Sequence, residues 1–361
     1  MSLIPTPSRA REETSDGARS DVARLIRSLV HRLSDDDSVL PVEGRLPGFV
    51  GATGWLNSKP LTPAGLRGRV VLVNFWTYTC INWLRTLPYV RAWSAKYGDQ
   101  GLTVLGIHTP EFGFEHNPEN VIALAGDLDV GYPIALDNDY AVWQAFANRF
   151  WPAIYVVDAE GRLRYHHFGE REYAMTGMVI QQLLVDAGAD GIDGELVQVE
   201  PEGLEVDADW PNLRSPETYL SYGRTTGFAS PDRLRPYEAH EYPETGDLRL
   251  NQWAPIGSWT IAEHAAVLSR PGGRIAFRFH ARDVHLVMGP AAQRSAVPIR
   301  IRIDDQAPGD SHGLDVDESG FGTVTQQRLH QLIRQRGPIA ERLFEIEFLE
   351  AGVEAYCFTF G

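Results

Sequence analysis

The chain has 361 residues, 43% of them hydrophobic and 22% charged, an ordinary balance for a globular protein long enough for two or three domains. Asp and Glu total 48 against 33 Lys and Arg, and the net charge of −15 excludes a general nucleic-acid binder, which needs a basic face. The two cysteines, Cys80 and Cys357, lie too far apart in sequence to suggest a disulfide framework or a cysteine metal cluster.

Residues 1–45 begin with a polar stretch expected to be disordered. Val22, Leu25, Ile26, Leu29, Val30 and Leu33 then recur at helical spacing, with Ser20 or Asp21 as cap. This amphipathic helix fits docking on a neighbouring domain, or a partner or membrane surface. Met1–Ser20 carries no apolar core of a signal peptide, and no run of about 18 apolar residues occurs, so no integral membrane segment is expected and the expected location is the cytoplasm.

From 46 to 190 strands alternate with helices. Strands are expected at 70–75, 102–107, 154–157 and 162–168, with a turn at Asp158-Ala159-Glu160-Gly161. Helices are expected at 81–96, 117–126, 139–148 and 173–187. The pattern is an α/β domain with helices on both faces of a sheet. Residues 191–209 are acidic and Gly-containing without Lys or Arg, and read as an exposed linker with solubilising acids. From 210 to 361 short strands at 274–280, 284–288, 299–303, 342–349 and 355–360 indicate an all-β sandwich domain of jelly-roll type.

The most informative segment is Val71-Leu72-Val73-Asn74-Phe75-Trp76-Thr77-Tyr78-Thr79-Cys80-Ile81-Asn82-Trp83. An apolar strand enters an aromatic turn, and a cysteine opens a helix. Backbone N–H groups and the positive end of the helix dipole stabilise a thiolate there. This placement predicts a lowered thiol pKa and a nucleophile or redox sensor.

With Arg85 and Pro88 in the helix, this segment resembles thioredoxin-like domains of the TlpA/ResA (redoxin) type, and most of all the soluble C-terminal region of DipZ-type proteins. Gly106 to Phe112, Tyr132 to Asn138, Asn148 to Ala153 and the terminal Ala355 to Gly361 carry the resemblance further. It covers 46–190 specifically and 210–361 more loosely. It implies a thioredoxin-like domain followed by a β-sandwich, and thiol-based redox activity. The family motif is Cys-x-x-Cys, whereas this chain has Cys80-Ile81-Asn82-Trp83. An indole cannot resolve a mixed disulfide, so the motif cannot run a dithiol cycle by itself.

The resemblance also implies roles by position. Pro152 matches the family's cis-proline facing the cysteine, and Glu111 matches an acid that handles protons near it. Asn74 takes the place of a buried acid. Trp76, Thr79, Trp83, Trp151 and Pro152 are the residues expected to shape the site or hold substrate. Glu111 is equally readable as a solvated loop acid. His108, His166 and His167 lack the spacing of a metal site, and neither metal nor cofactor is expected.

Period-2 alternation places Tyr356, Phe358 and Phe360 on one face of the last strand and Cys357 on the other, as a buried filler. The alternative is a second thiol that resolves Cys80 across the domain interface. Trp210, Tyr219, Tyr222, Phe228, Tyr237, Tyr242, Trp253 and Trp259 make carbohydrate a candidate ligand of the β-domain, or else fill its core. The functional expectation is a redox protein in which Cys80 alone performs disulfide or peroxide chemistry and an external thiol, or a disulfide-bearing protein, is its partner. The other expectation is a non-catalytic thioredoxin-fold scaffold whose β-domain binds a ligand or partner.

Overall fold

The computed structural model describes residues 40–291 and 296–361, so the helix expected within 1–45 lies outside the described residues. The first part runs β1 (Gly44–Arg45), β2 (Gly54–Leu56), β3 (Val70–Trp76), α1 (Ile81–Tyr97), β4 (Leu102–His108), α2 (Pro118–Asp127), β5 (Ile134–Leu136), α3 (Ala141–Ala145), β6 (Ala153–Val157), β7 (Arg162–Phe168) and α4 (Tyr173–Asp186). Its strands form a 7-stranded sheet in the order β1-β7-β6-β3-β4-β5-β2. Central β3 is parallel to β4 and antiparallel to β6. Alternation along β3 feeds two cores: Val70, Leu72 and Trp76 pack with α1 and α4, while Val71, Val73 and Phe75 pack with Val142 and Phe146. A strand buried on both faces reads as a continuous apolar run, which is why β3 is legible in sequence.

The helix expected over 139–148 shortens to α3. The Asp137 carboxylate accepts from the backbone N–H groups of Val142 and Trp143, at 2.8 Å each, and so caps the turn from outside. Ala147, at φ 51°, ends it.

The second part comprises β8 (Thr218–Tyr219), β9 (Ala239–Tyr242), β10 (Trp253–Ile261), β11 (Ala266–Leu268), β12 (Gly273–Phe279), β13 (Asp283–Pro290), β14 (Val297–Ile303), β15 (Phe321–Val324), β16 (Arg328–Arg334), β17 (Arg342–Phe348) and β18 (Val353–Phe360). All join one 11-stranded antiparallel sheet. β10 is its hinge: Trp253–Ile256 pair with β12, and Gly257–Ile261 pair with β9 and β11. The sheet curls over a core that includes Trp253, Trp259, Phe277, Phe344, Phe348 and Phe358. The domain is all-β as expected, but its strands form a curled half-barrel in one continuous sheet.

Residues 191–209 are less exposed than their acidity suggests. Val197 and Leu204 pack against the first core. Arg91 donates to both oxygens of Glu205, at 2.7 and 2.8 Å, so this acid belongs to a half-buried ion pair.

One face of the second sheet packs against the first domain. Tyr219, Ala265, Val287, Leu329, Tyr356 and Cys357 share a core with Tyr78, Ile81 and Phe112. The alternation expected along β18 fails at Tyr356. There Val287 pairs with Cys357 and Met288 with Ala355, leaving Tyr356 as the extra residue of a bulge. Tyr356 therefore joins Cys357 on the interface side, while Phe358 and Phe360 remain in the β-core. At the other end of the interface, buried Arg85 pairs with Glu170 at 3.1 Å and donates to the Phe360 carbonyl at 3.2 Å. Among the described residues no helix is long and apolar enough to cross a membrane.

Candidate functional site

Cys80 is the N-cap of α1, with extended backbone at φ −78° and ψ 109°. The turn is closed by a hydrogen bond from its N–H to the Thr77 carbonyl at 3.2 Å. Its Sγ lies 3.7 Å from the Trp151 carbonyl oxygen, a contact in which the thiol donates. The Trp151–Pro152 peptide is cis. The Trp151 indole N–H donates to the Thr109 carbonyl at 3.1 Å and fixes that loop to the end of β4. Cys80, Trp151 and Pro152 are thus brought together.

Trp83 is fully buried one helical turn after Cys80. Its indole stacks on Trp76 with centroids 4.3 Å apart and planes 23° off parallel. Its N–H donates to Asn74 Oδ1 at 2.9 Å. Asn74 in turn donates to the Ala153 carbonyl at 3.2 Å, which ties β3 to the strand that follows Pro152.

Three carboxyl groups gather on the same side. Glu111 accepts from Arg224 at 2.9 Å and from the Tyr219 hydroxyl at 2.5 Å. Glu115, wholly buried, accepts from the Thr79 hydroxyl at 2.6 Å and from the N–H groups of Glu111 and Phe112 at 2.6 and 2.9 Å. Burial pushes its pKa up to about 7, with the charge of Glu111 adding to the rise and the Thr79 hydrogen bond opposing it. Glu217, from the second domain, lies 3.0 Å from the same Tyr219 hydroxyl. Glu217 remains exposed as a residue; partial desolvation beside Tyr219, and then the charge of Glu111, push its pKa upward. Sequence reasoning found Glu111 and missed the other two. Glu115 had a faint signal as a second acid one turn beyond Glu111, but Glu217 had none, being separated by more than a hundred residues and a domain boundary.

The Cys80 thiol is half-buried, and its surroundings push its pKa up, against the direction expected from its place on the helix. Burial is the largest influence and pushes it well above its usual value, and the charges of Glu111 and Glu217 push it further. Hydrogen bonds from the Trp83 and Asn82 backbone act in the expected direction but are outweighed. Cys357 is buried in the shared core and is likewise raised, by burial and then by Glu217 and Glu111. It is a filler of the domain interface, not of the β-core.

His108 is buried against Trp76 and Tyr78, and burial lowers its pKa to about 3. His166 faces Glu43 at 2.7 Å, and His167 meets the Glu170 carbonyl at 3.1 Å. Among the described residues, no three His, Cys, Asp or Glu side chains gather as a metal site. Tyr242, Trp253 and Trp259 are buried in the β-core. Tyr237 and Trp210 remain exposed, the first against Tyr222 and the second under Arg171.

A central β3 flanked by parallel β4 and antiparallel β6, a cysteine capping the following helix and a facing cis-proline define a thioredoxin-like protein. Residues 42–176 match the redoxin family, and residues 215–361 match the family described as thioredoxin like C-terminal domain. The chain therefore carries a redoxin domain and the thioredoxin-like C-terminal domain, and is a homologue of DipZ proteins. It is 36% identical over 290 residues to Protein DipZ of Mycobacterium tuberculosis, an alignment covering 79% of this chain and 40% of that protein. The chain thus spans under half the length of these relatives. It is 29% identical over 141 residues to the thiol-disulfide oxidoreductase YkuV of Bacillus subtilis, covering 39% of this chain and 95% of that one. A solved structure described as a thioredoxin-like protein in the oxidized form is 29% identical, with a TM-score of 0.38, and covers 40% of this chain and 97% of its own.

Proposed function

We propose that this chain is a thiol–disulfide oxidoreductase whose reacting group is Cys80 and whose motif holds no resolving thiol. The observation that carries this reading is the Cys80 thiol directed at the carbonyl of Trp151, immediately before cis-Pro152. An extended substrate strand laid along that proline would present its disulfide to the sulfur.

The Cys80 thiolate attacks a substrate disulfide, forming a mixed disulfide and releasing one substrate thiolate. An external thiolate then attacks the mixed disulfide, regenerating Cys80 and leaving with the substrate sulfur as a new disulfide. Trp83 cannot take that second part. The proton lost by Cys80 goes to a nearby base, and Glu111 is the residue we assign to receive it. Trp76, Thr79 and Trp83 shape the pocket, and Trp151 with Pro152 holds the substrate strand.

Turnover of a disulfide substrate with excess small thiol tests this, using the full chain and its Cys80→Ser variant. Loss of catalysis in the variant is expected. Equal rates would overturn the reading and favour the second one, a thioredoxin-fold binding module. That second reading is supported by Trp83, which fills the resolving position with a packed, hydrogen-bonded indole.

A further inference from the structure

Tyr219 presents one hydroxyl to two carboxyl groups, Glu111 at 2.5 Å and Glu217 at 3.0 Å. A phenol has one proton to donate, and an ionised carboxylate can only accept. Both contacts are satisfied only when one carboxyl group carries a proton and donates it to the phenol oxygen. Glu111 also accepts from Arg224 at 2.9 Å, so it is the ionised partner. The proton resides on Glu217. Arg224 closes the arrangement, with its guanidinium 3.4 Å from the centre of the Tyr219 ring. Backbone pairing holds Tyr219 in place opposite Cys357 on β18.

We propose that the second domain completes the acid–base side of the Cys80 site: Glu217 keeps the proton of the pair and donates it to Tyr219, whose hydroxyl with Arg224 holds Glu111 ionised and open to the Cys80 proton. This rests on the reading of Cys80 as the reacting thiol. Glu217, Tyr219 and Arg224 act through Glu111 and are positioning residues. The charges of both carboxylates bear on the Cys80 thiol. Other titratable groups around it are Glu115 on the loop after β4, Tyr78 in the turn before α1, and Tyr356 and Cys357 on β18. Glu115 titrates in the same range as Glu217, so only variants separate the two.

The test is the pH profile of Cys80 alkylation by iodoacetamide in the full chain, read by peptide mass spectrometry, with Cys357 alkylation read in the same samples. Gln at 217 keeps a donor for Tyr219 but never ionises. Glu217→Gln is expected to alkylate Cys80 at the wild-type rate below pH 6. Above pH 8 it should be about threefold to tenfold faster, as expected when a neighbouring negative charge that holds a thiol protonated is removed. Arg224→Gln, which leaves Glu111 without its counter-charge, is expected to slow Cys80 above pH 8. Opposite signs with Cys357 still protected support the proposal. A Glu217→Gln profile that superimposes on wild type overturns it. So does acceleration of Cys80 and Cys357 together in both variants, because that reports an opened interface. If the opposite signs appear while Cys80→Ser leaves turnover unchanged, the coupling of the second domain to Cys80 stands and the oxidoreductase reading fails.

Discussion

The indole N–H of Trp83 donates to the buried Oδ1 of Asn74 at 2.9 Å, in the place where the related motif has its second cysteine. The substitution is therefore structurally integrated: it stacks on Trp76 and satisfies a polar group in the core. Trp83→Cys leaves a cavity and an unpaired amide oxygen. It is expected to destabilise the protein by about 3–5 kcal/mol in urea unfolding. It also places two thiols one helical turn apart, so mild oxidation should join the introduced thiol to Cys80 in a disulfide seen on peptide mapping. An unchanged urea midpoint would show that the indole contributes no packing.

Arg85 and Glu170 form a buried pair beside the end of β18. Burial raises Glu170 to about 6, and Arg85 opposes that rise. Arg85→Met strands the carboxylate and is expected to cost about 3–5 kcal/mol at pH 8. The sign of the pH dependence follows from linkage. Without Arg85 the folded pKa rises further above the unfolded value, so the penalty is largest at high pH and shrinks as the pH falls through the folded pKa. Urea titrations at pH 8 and pH 5 should show the gap to wild type narrowing. A gap that widens toward pH 5 would refute the assignment.

Glu115 joins Thr79, beside Cys80, to the backbone that carries Glu111. A Gln in its place turns an amide toward donors, and Glu115→Gln is expected to lose about 1–3 kcal/mol at pH 5. Its folded pKa of about 7 lies above the ordinary carboxyl value of 4.5. Wild type therefore has this group's full stabilisation below about pH 4.5 and loses it as pH rises through 7. The difference between wild type and variant should shrink from pH 5 to pH 8. A constant difference would mean that Glu115 is already ionised at pH 5.

The site divides into what one chain segment can announce and what only folding assembles. Val70–Trp76, Cys80 and α1 form a contiguous strand–turn–helix, so their order and spacing expose them. β10 escapes because Pro255 and Gly257 interrupt its alternation where the sheet curls. β16 escapes because His330 and Gln331 are buried yet polar, each with a hydrogen-bond partner on a neighbouring residue or strand. Tyr356 misleads because period 2 takes no account of a bulge. The thiol itself misleads most. Its place on the helix points to a low pKa, but partial enclosure pushes the other way, with the charges of Glu111 and Glu217 adding to it.

That reversal makes a kinetic prediction. A thiol held protonated at neutral pH supplies little thiolate, and the thiolate is the attacking species. Burial is the main cause, and Glu111 and Glu217 add to it. The Cys80-dependent rate of disulfide reduction should therefore keep rising through pH 9, where an activated thioredoxin-type cysteine would already have reached its plateau. Stopped-flow measurement of mixed-disulfide formation from pH 6 to 10 isolates this step, because resolution by the external thiol comes later. A plateau near pH 7 would show that Cys80 ionises readily in solution, with Glu111 and Glu217 too distant or too well screened to hold its proton.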